Sequence, residues 1–225
     1  MPPFYPCGSV SLEKLEKPAQ RTLQAGVKNL KKSRHPAAQS EFEQLTQTHP
    51  DLTQGWVLLG AALQEQGRAD EAISAYQHSL NLKTTVFANV GLMEIANERQ
   101  EWEASLQFAE NAIHAGGAAC SYVQLYRGFA EFHLGNLSEA ESAARAATIG
   151  VHWGAQITVG AQPYLPLSDI SLERGDLSQA EQYLRQAAKN HSKDEREVIR
   201  AKIDAVKQLQ QKQRQQSHTD QLPPK

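Results

Sequence analysis

Apolar positions recur at helical spacing through most of the chain, and "WVLLGAALQEQGRADEAISAYQHSL", Trp56 to Leu80, shows how they are organised. An apolar run with a small residue inside it gives way to a glycine and a polar turn. A second apolar stripe then carries Ala72 and, four residues on, Tyr76. Two amphipathic helices joined by a tight turn produce this pattern. The unit recurs, as the alanine and aromatic pair returns at Ala38 with Phe42 and at Ala104 with Phe108, with weaker copies at Ala140 with Ala144 and Ala180 with Leu184. Glycines keep step: Gly26, Gly60 and Gly128 precede their anchor alanine by twelve residues, and Gly67, Gly135 and Gly175 precede theirs by five.

Each residue type has a physical reason to be where it is. A small residue within the first helix lets a second helix approach closely. The later glycine ends the first helix, because only glycine takes the left-handed conformation without steric cost. In "GRADEA", "GNLSEA" and "GDLSQA" a short polar side chain is expected to cap the next helix, with an acidic residue in its first turn. A single hairpin of this kind cannot bury its own apolar face, so neighbours must stack.

On these residues the chain resembles the tetratricopeptide repeat family, whose pattern runs W-x2-L-G-x2-Y, then A-x3-F, then P. Trp56, Leu59, Gly60, Leu63, Ala72 and Tyr76 follow it position for position, with Leu63 for the usual tyrosine. Gly26, Ala38, Phe42 and Pro50 follow it in the first copy, and Tyr164, Leu167, Gly175 and Ala180 in the fifth. The resemblance implies an all-α, right-handed α-solenoid of about five helix hairpins. The repeats fall at about 19–52, 53–86, 86–118, 121–154 and 161–194, after an N-terminal extension at 1–18. Ile199, Ile203, Val206 and Leu209 form one stripe in a C-terminal capping helix at 195–216, followed by a disordered tail at 217–225.

Two places depart from the pattern. The third repeat lacks its mid-hairpin glycine, and either Ala104 or Ser105 holds its anchor position. Surplus residues between the fourth and fifth anchors, "GVHWGAQITVGAQPY" from Gly150 to Tyr164, are expected to interrupt regular stacking.

Composition adds little pull toward any charged partner. The chain has 225 residues and a formal net charge of -2, which gives no global attraction to nucleic acid or anionic membrane. Two cysteines, Cys7 and Cys120, lie in no CxxC or metal-ligand spacing and are read as free thiols. The start has no signal-peptide pattern and no stretch approaches the length of a membrane span, so a cytoplasmic location is the default. The 8 histidines are scattered without ligand spacing, and no nucleophile elbow or phosphate loop occurs. "HAGGAAC", around Gly116 and Gly117, reads as a turn between hairpins. No metal, no cofactor and no catalytic residue is therefore expected.

Binding is the function that remains. The resemblance implies a concave wall built by the first helix of each hairpin. By register this wall takes Leu23, Val27, Leu30 and Lys31 from the first hairpin, and Val57, Ala61, Gln64 and Glu65 from the second. Leu125, Phe129, Phe132 and His133 come from the fourth, and Leu165, Asp169, Leu172 and Glu173 from the fifth, with packing between repeats the alternative role for Leu30 and Leu172. The Lys, Asn and Arg clamp with which some family members grip chaperone C-termini is not matched, since Leu23, Val27 and Leu58 stand where it would begin. The expected function is a non-catalytic scaffold or assembly factor binding a peptide or helix of another protein. Its contact is centred on Tyr122, Phe129, Phe132 and Trp153, and the competing role for these aromatics is core filling. A nucleic-acid-binding array, disfavoured by the acidic balance, and a regulatory subunit of a separate enzyme are the alternatives.

Overall fold

The computed structural model describes residues 15–149, 162–189 and 193–220. Among these the structure is helical throughout, with no strand. Helices α1 (Lys17–Lys31) and α2 (His35–Thr48) form the first hairpin, α3 (Thr53–Gln64) and α4 (Ala69–Leu82) the second, and α5 (Val86–Glu98) and α6 (Trp102–Ala112) the third. A π-helical turn, Ile113–Gly117, extends α6. The fourth hairpin is α7 (Ser121–His133) with α8 (Leu137–Ile149), and the fifth is α9 (Tyr164–Glu173) with α10 (Leu177–Lys189). Helix α11 (Lys193–Asp220) closes the stack and runs further than the 195–216 span expected from its stripe. Each helix packs on the one before and the one after it.

The turns inside the hairpins share one geometry. The residue five before each anchor is left-handed in every case: Ser33 (φ 54°), Gly67 (73°), Gln100 (59°), Gly135 (82°) and Gly175 (75°). The next amide then reaches back to the carbonyl five residues earlier, as from Arg68 to Leu63 (3.0 Å), Glu101 to Ala96 (2.9 Å) and Asp176 to Ser171 (2.8 Å). This satisfies carbonyls that the helix end leaves open. Gln100 settles the third register, because it lies five before Ser105, and Ser105 is fully buried with its hydroxyl directed at the Met93 carbonyl (3.4 Å).

Of the three expected side-chain caps, one forms as anticipated. Asp176 accepts from the Gln179 amide (2.9 Å) at the start of α10. Arg68 instead precedes α4 and forks onto Glu71 at 2.7 and 2.5 Å. The Asn136 amide donates to Glu131 (2.8 Å) instead of capping α8. Thr85, which the repeat pattern does not single out, caps α5 by accepting from the Ala88 amide (3.3 Å).

Packing follows the glycine and aromatic pairs. A Cβ placed on Gly26 would lie 2.5 Å from the Phe42 ring, and one on Gly60 would lie 2.7 Å from Tyr76. Tyr76 also meets Gly91 of the next hairpin, where a Cβ would come within 2.2 Å of its ring, so one fully buried tyrosine lies between two glycines of successive repeats. At Gly128 the aromatic position is Ala144, and the helices approach until the backbone of Ala140 and Ala144 stands 3.3 Å from a Cβ. Trp56 holds the junction between repeats by donating its indole N–H to the Pro50 carbonyl (2.8 Å) and covering His78 at 3.9 Å between ring centres.

Three expectations are corrected. Stacking is not interrupted between the fourth and fifth hairpins, since α8 and α9 pack together and Arg174 reaches both Glu141 and the Leu137 carbonyl. Helix α11 buries Ile199, Ile203 and Val206, but Leu209 is 46% exposed, because Gln210 takes the next position facing α10 and donates to the Leu177 carbonyl (3.1 Å). Cys120 is not a free thiol: it is buried and disulfide-bonded. Spacing rules see local motifs and do not detect such a bond. The chain's other cysteine, Cys7, lies outside the described residues.

Candidate functional site

The inner wall of the stack is identified by which helices meet. Each first helix touches the first helix of the next hairpin, α1 with α3, α3 with α5, α5 with α7 and α7 with α9, whereas the second helices make no comparable contacts with one another. The first helices therefore lie on the inside of the curve.

The expected wall residues divide into two groups. Val57, Ala61 and Leu125 are buried at 6%, 3% and 1% exposure and pack between helices, as do Leu23 and Leu30. Gln64, Tyr122, Phe129, Phe132, Leu165, Asp169 and Leu172 are partly exposed, and Lys31, Glu65, His133 and Glu173 are exposed. Trp153 lies outside the described residues. Along α7 the aromatics form a row, with ring centres 4.8 Å apart for Tyr122 and Tyr126 and 6.3 Å apart for Tyr126 and Phe129. His133 continues it at 5.5 Å from Phe132 and stacks flat on Trp102 of α6 at 3.9 Å.

Polar side chains tie three first helices together across this wall. The buried Tyr76 hydroxyl donates to Gln64 Oε1 (2.9 Å), and Gln64 Nε2 donates to Glu94 Oε2 (3.0 Å). The Tyr122 hydroxyl donates to the other Glu94 oxygen, and Tyr126 lies 3.2 Å from Tyr122, oxygen to oxygen. Burial pushes the Glu94 carboxyl above the usual carboxylate range, and its two hydrogen bonds only partly oppose this. Glu98 and Glu65 add repulsion of the same sign. Tyr122 and Tyr126 are raised in turn, first by burial and then by charge that includes Glu94. Further along, Asp169 is raised by burial while Lys202 of α11, 3.7 Å away, draws it down.

Glu94, Glu98 and Tyr126 are the wall residues that sequence reasoning missed. With Ser105 as anchor, Glu94 stands eleven residues before it, the offset that Ala61, Phe129 and Asp169 have from their own anchors. The signal was present but unusable while the third register stayed open. The wall's sign also emerges here. Glu65, Glu94, Glu98, Asp169 and Glu173 lie along it from α3 to α9, Lys31 stands at its α1 end, and Arg127 of α7 is turned away onto Glu110 of α6 (2.9 Å). Among the described residues no group of three or more His, Cys, Asp or Glu is placed to hold a metal ion, and no helix is long and apolar enough to cross a membrane.

Comparison with known proteins agrees with this geometry. Residues 23–80 match the model of the tetratricopeptide repeat family. No curated protein matches the chain. Among solved structures, PilW, a widely conserved type IV pilus biogenesis factor, superposes with a TM-score of 0.72 at 14% identity, covering 85% of this chain and 87% of its own. A thermophilic TPR protein in Thermus thermophilus gives 0.59 at 19% identity, over 84% of this chain and 98% of its own. YrrB, a TPR protein with an unusual peptide-binding site, gives 0.60 at 13% identity, over 76% and 85%. These likenesses concern the fold. With the helix pairs, the glycine and aromatic contacts and the matched segment in agreement, the chain carries tetratricopeptide repeats over residues 23–80, and its other described hairpins share their fold.

Proposed function

We propose that the chain is a non-catalytic scaffold or assembly factor that holds a peptide or helix of a partner protein against its inner wall, centred on the fourth hairpin. The observation that supports this is the row of partly exposed rings on α7, Tyr122, Tyr126, Phe129 and Phe132, on the side of the stack that the first helices line. Aromatics in concave surroundings are common anchors of binding, worth about 2 kcal/mol or more on truncation. The likeness to PilW, a biogenesis factor, and to YrrB, with its peptide-binding site, fits the same reading.

Selection of a random-peptide library on the full chain tests it. Binders should lose affinity about tenfold or more on Phe129→Ala, with the melting temperature within a few degrees of the parent. A sharp loss of stability, with affinity of the folded fraction intact, would make these rings packing residues and end the proposal.

The Cys120 disulfide bears on location. Disulfides persist in oxidising compartments, and we infer such a compartment in place of the cytoplasm. Thiol titration of the denatured, unreduced protein purified from its native cell should find no free thiol; two per chain would overturn the inference.

A further inference from the structure

We propose that the groove selects a basic segment of its partner protein, seating a lysine or arginine side chain against Glu94 with its stem across the α7 rings. This rests on the inner wall being the binding surface. Glu94 is clamped between Gln64 of α3 and Tyr122 of α7, yet both of these partners are neutral donors. Among the described residues no lysine or arginine comes within ion-pair distance of Glu94, Glu65 or Glu98. A partly buried carboxylate with carboxylates on either side and no cation is electrostatically incomplete, since buried charges are ordinarily paired.

The surroundings specify what completes it. Two tyrosine hydroxyls and two aromatic faces stand beside the carboxylate. A long cationic side chain lays its methylenes on such rings and carries its charge to the acid beyond, gaining attraction from the ring faces as well. The complement extends along the wall, where Asp169 and Glu173 of α9 follow at the offsets held by Glu94 and Glu98 of α5. Asp169 already draws Lys202 from α11 (3.7 Å), an internal example of the contact proposed. An acidic peptide or a nucleic acid would meet like charge along the same line.

The library selection separates this from the groove reading itself. Binders that depend on Phe129 should share a lysine or arginine at a common position and weaken with added salt. Glu94→Gln keeps an oxygen for the Tyr122 hydroxyl but sets an N–H against the Gln64 amide, whose own oxygen is held by Tyr76, so affinity is compared between folded fractions, where it should fall about tenfold or more. Tyr122→Phe should weaken the same peptides. Phe129-dependent binders without a common cation, or binders held within about twofold by Glu94→Gln, would overturn the charge proposal and leave the groove standing. Binders indifferent to Phe129, no binders at all, or labelled oligothymidylate competing for the groove would overturn both.

Discussion

Ser33 and Gln100 occupy positions where three of the five hairpins have glycine, and both are held in the left-handed region. A side chain there costs about 1–2 kcal/mol, against about 0.5–1 kcal/mol for the extra flexibility that glycine brings to the unfolded chain. Gln100→Gly should therefore stabilise the protein by roughly 0.5–1 kcal/mol, which for a chain of this size raises the melting temperature by about 1–4 °C. Calorimetry on the single variant checks it. Glu94 gives a second prediction at this scale. Its folded carboxyl lies above its unfolded value, so the folded state binds the proton more tightly and stability falls as pH rises through the folded value. The groups facing it are Glu65 from α3, Glu98 from its own helix, and the hydroxyls of Tyr122 and Tyr126 from α7. The melting temperature of Glu94→Gln minus that of the parent should rise from about pH 4, the unfolded value, to about pH 8. A difference that instead rises on acidification would contradict the assignment.

At the scale of the element, α11 supplies Ile199, Ile203 and Val206 to the last hairpin, where they meet Leu177, Leu184 and Ala187 of α10 and the half-buried Tyr164, Leu165 and Leu172 of α9. Ile203→Ala should cost about 2–5 kcal/mol locally. In a solenoid each repeat contacts only its neighbours, so the loss should stay local. Hydrogen exchange should accelerate across α9 to α11 and stay unchanged in α1 to α4; uniform acceleration would mean one cooperative unit. Much at this scale was legible in the sequence. The spacing of Gly60 from Ala72 and Tyr76 encodes one contact, a ring against a helix with no side chain at that point. What stayed hidden was of another kind. Gln100 carries no glycine to mark its turn, so α5 lost its register and Glu94 its place on the wall. The Arg68 fork onto Glu71 also stands in place of the cap that the local motif implies.

At the scale of the molecule, five near-copies of one hairpin yield a surface that no single copy contains. The rings come from α7, the clamped acid from α5 and the amide that holds it from α3. Helix periodicity is a property of each repeat and was readable. The wall's sign depends on which offsets are acidic across several repeats at once, and it became visible only when all registers were fixed. Arg127, a cation on α7, is held off the wall by its pairing with Glu110 on α6.

Tyr76 has one more consequence. Its ring fills the seam between two repeats at Gly60 and Gly91, and its hydroxyl begins the relay through Gln64 to Glu94 and Tyr122. The spacing of three successive coils is thereby set by a series of bonds, each with little slack. The stack behaves at this point as a spring whose pitch is pinned: pulling its ends apart must first lengthen the relay, and a cargo bridging α5 and α7 would stiffen the spring against further extension.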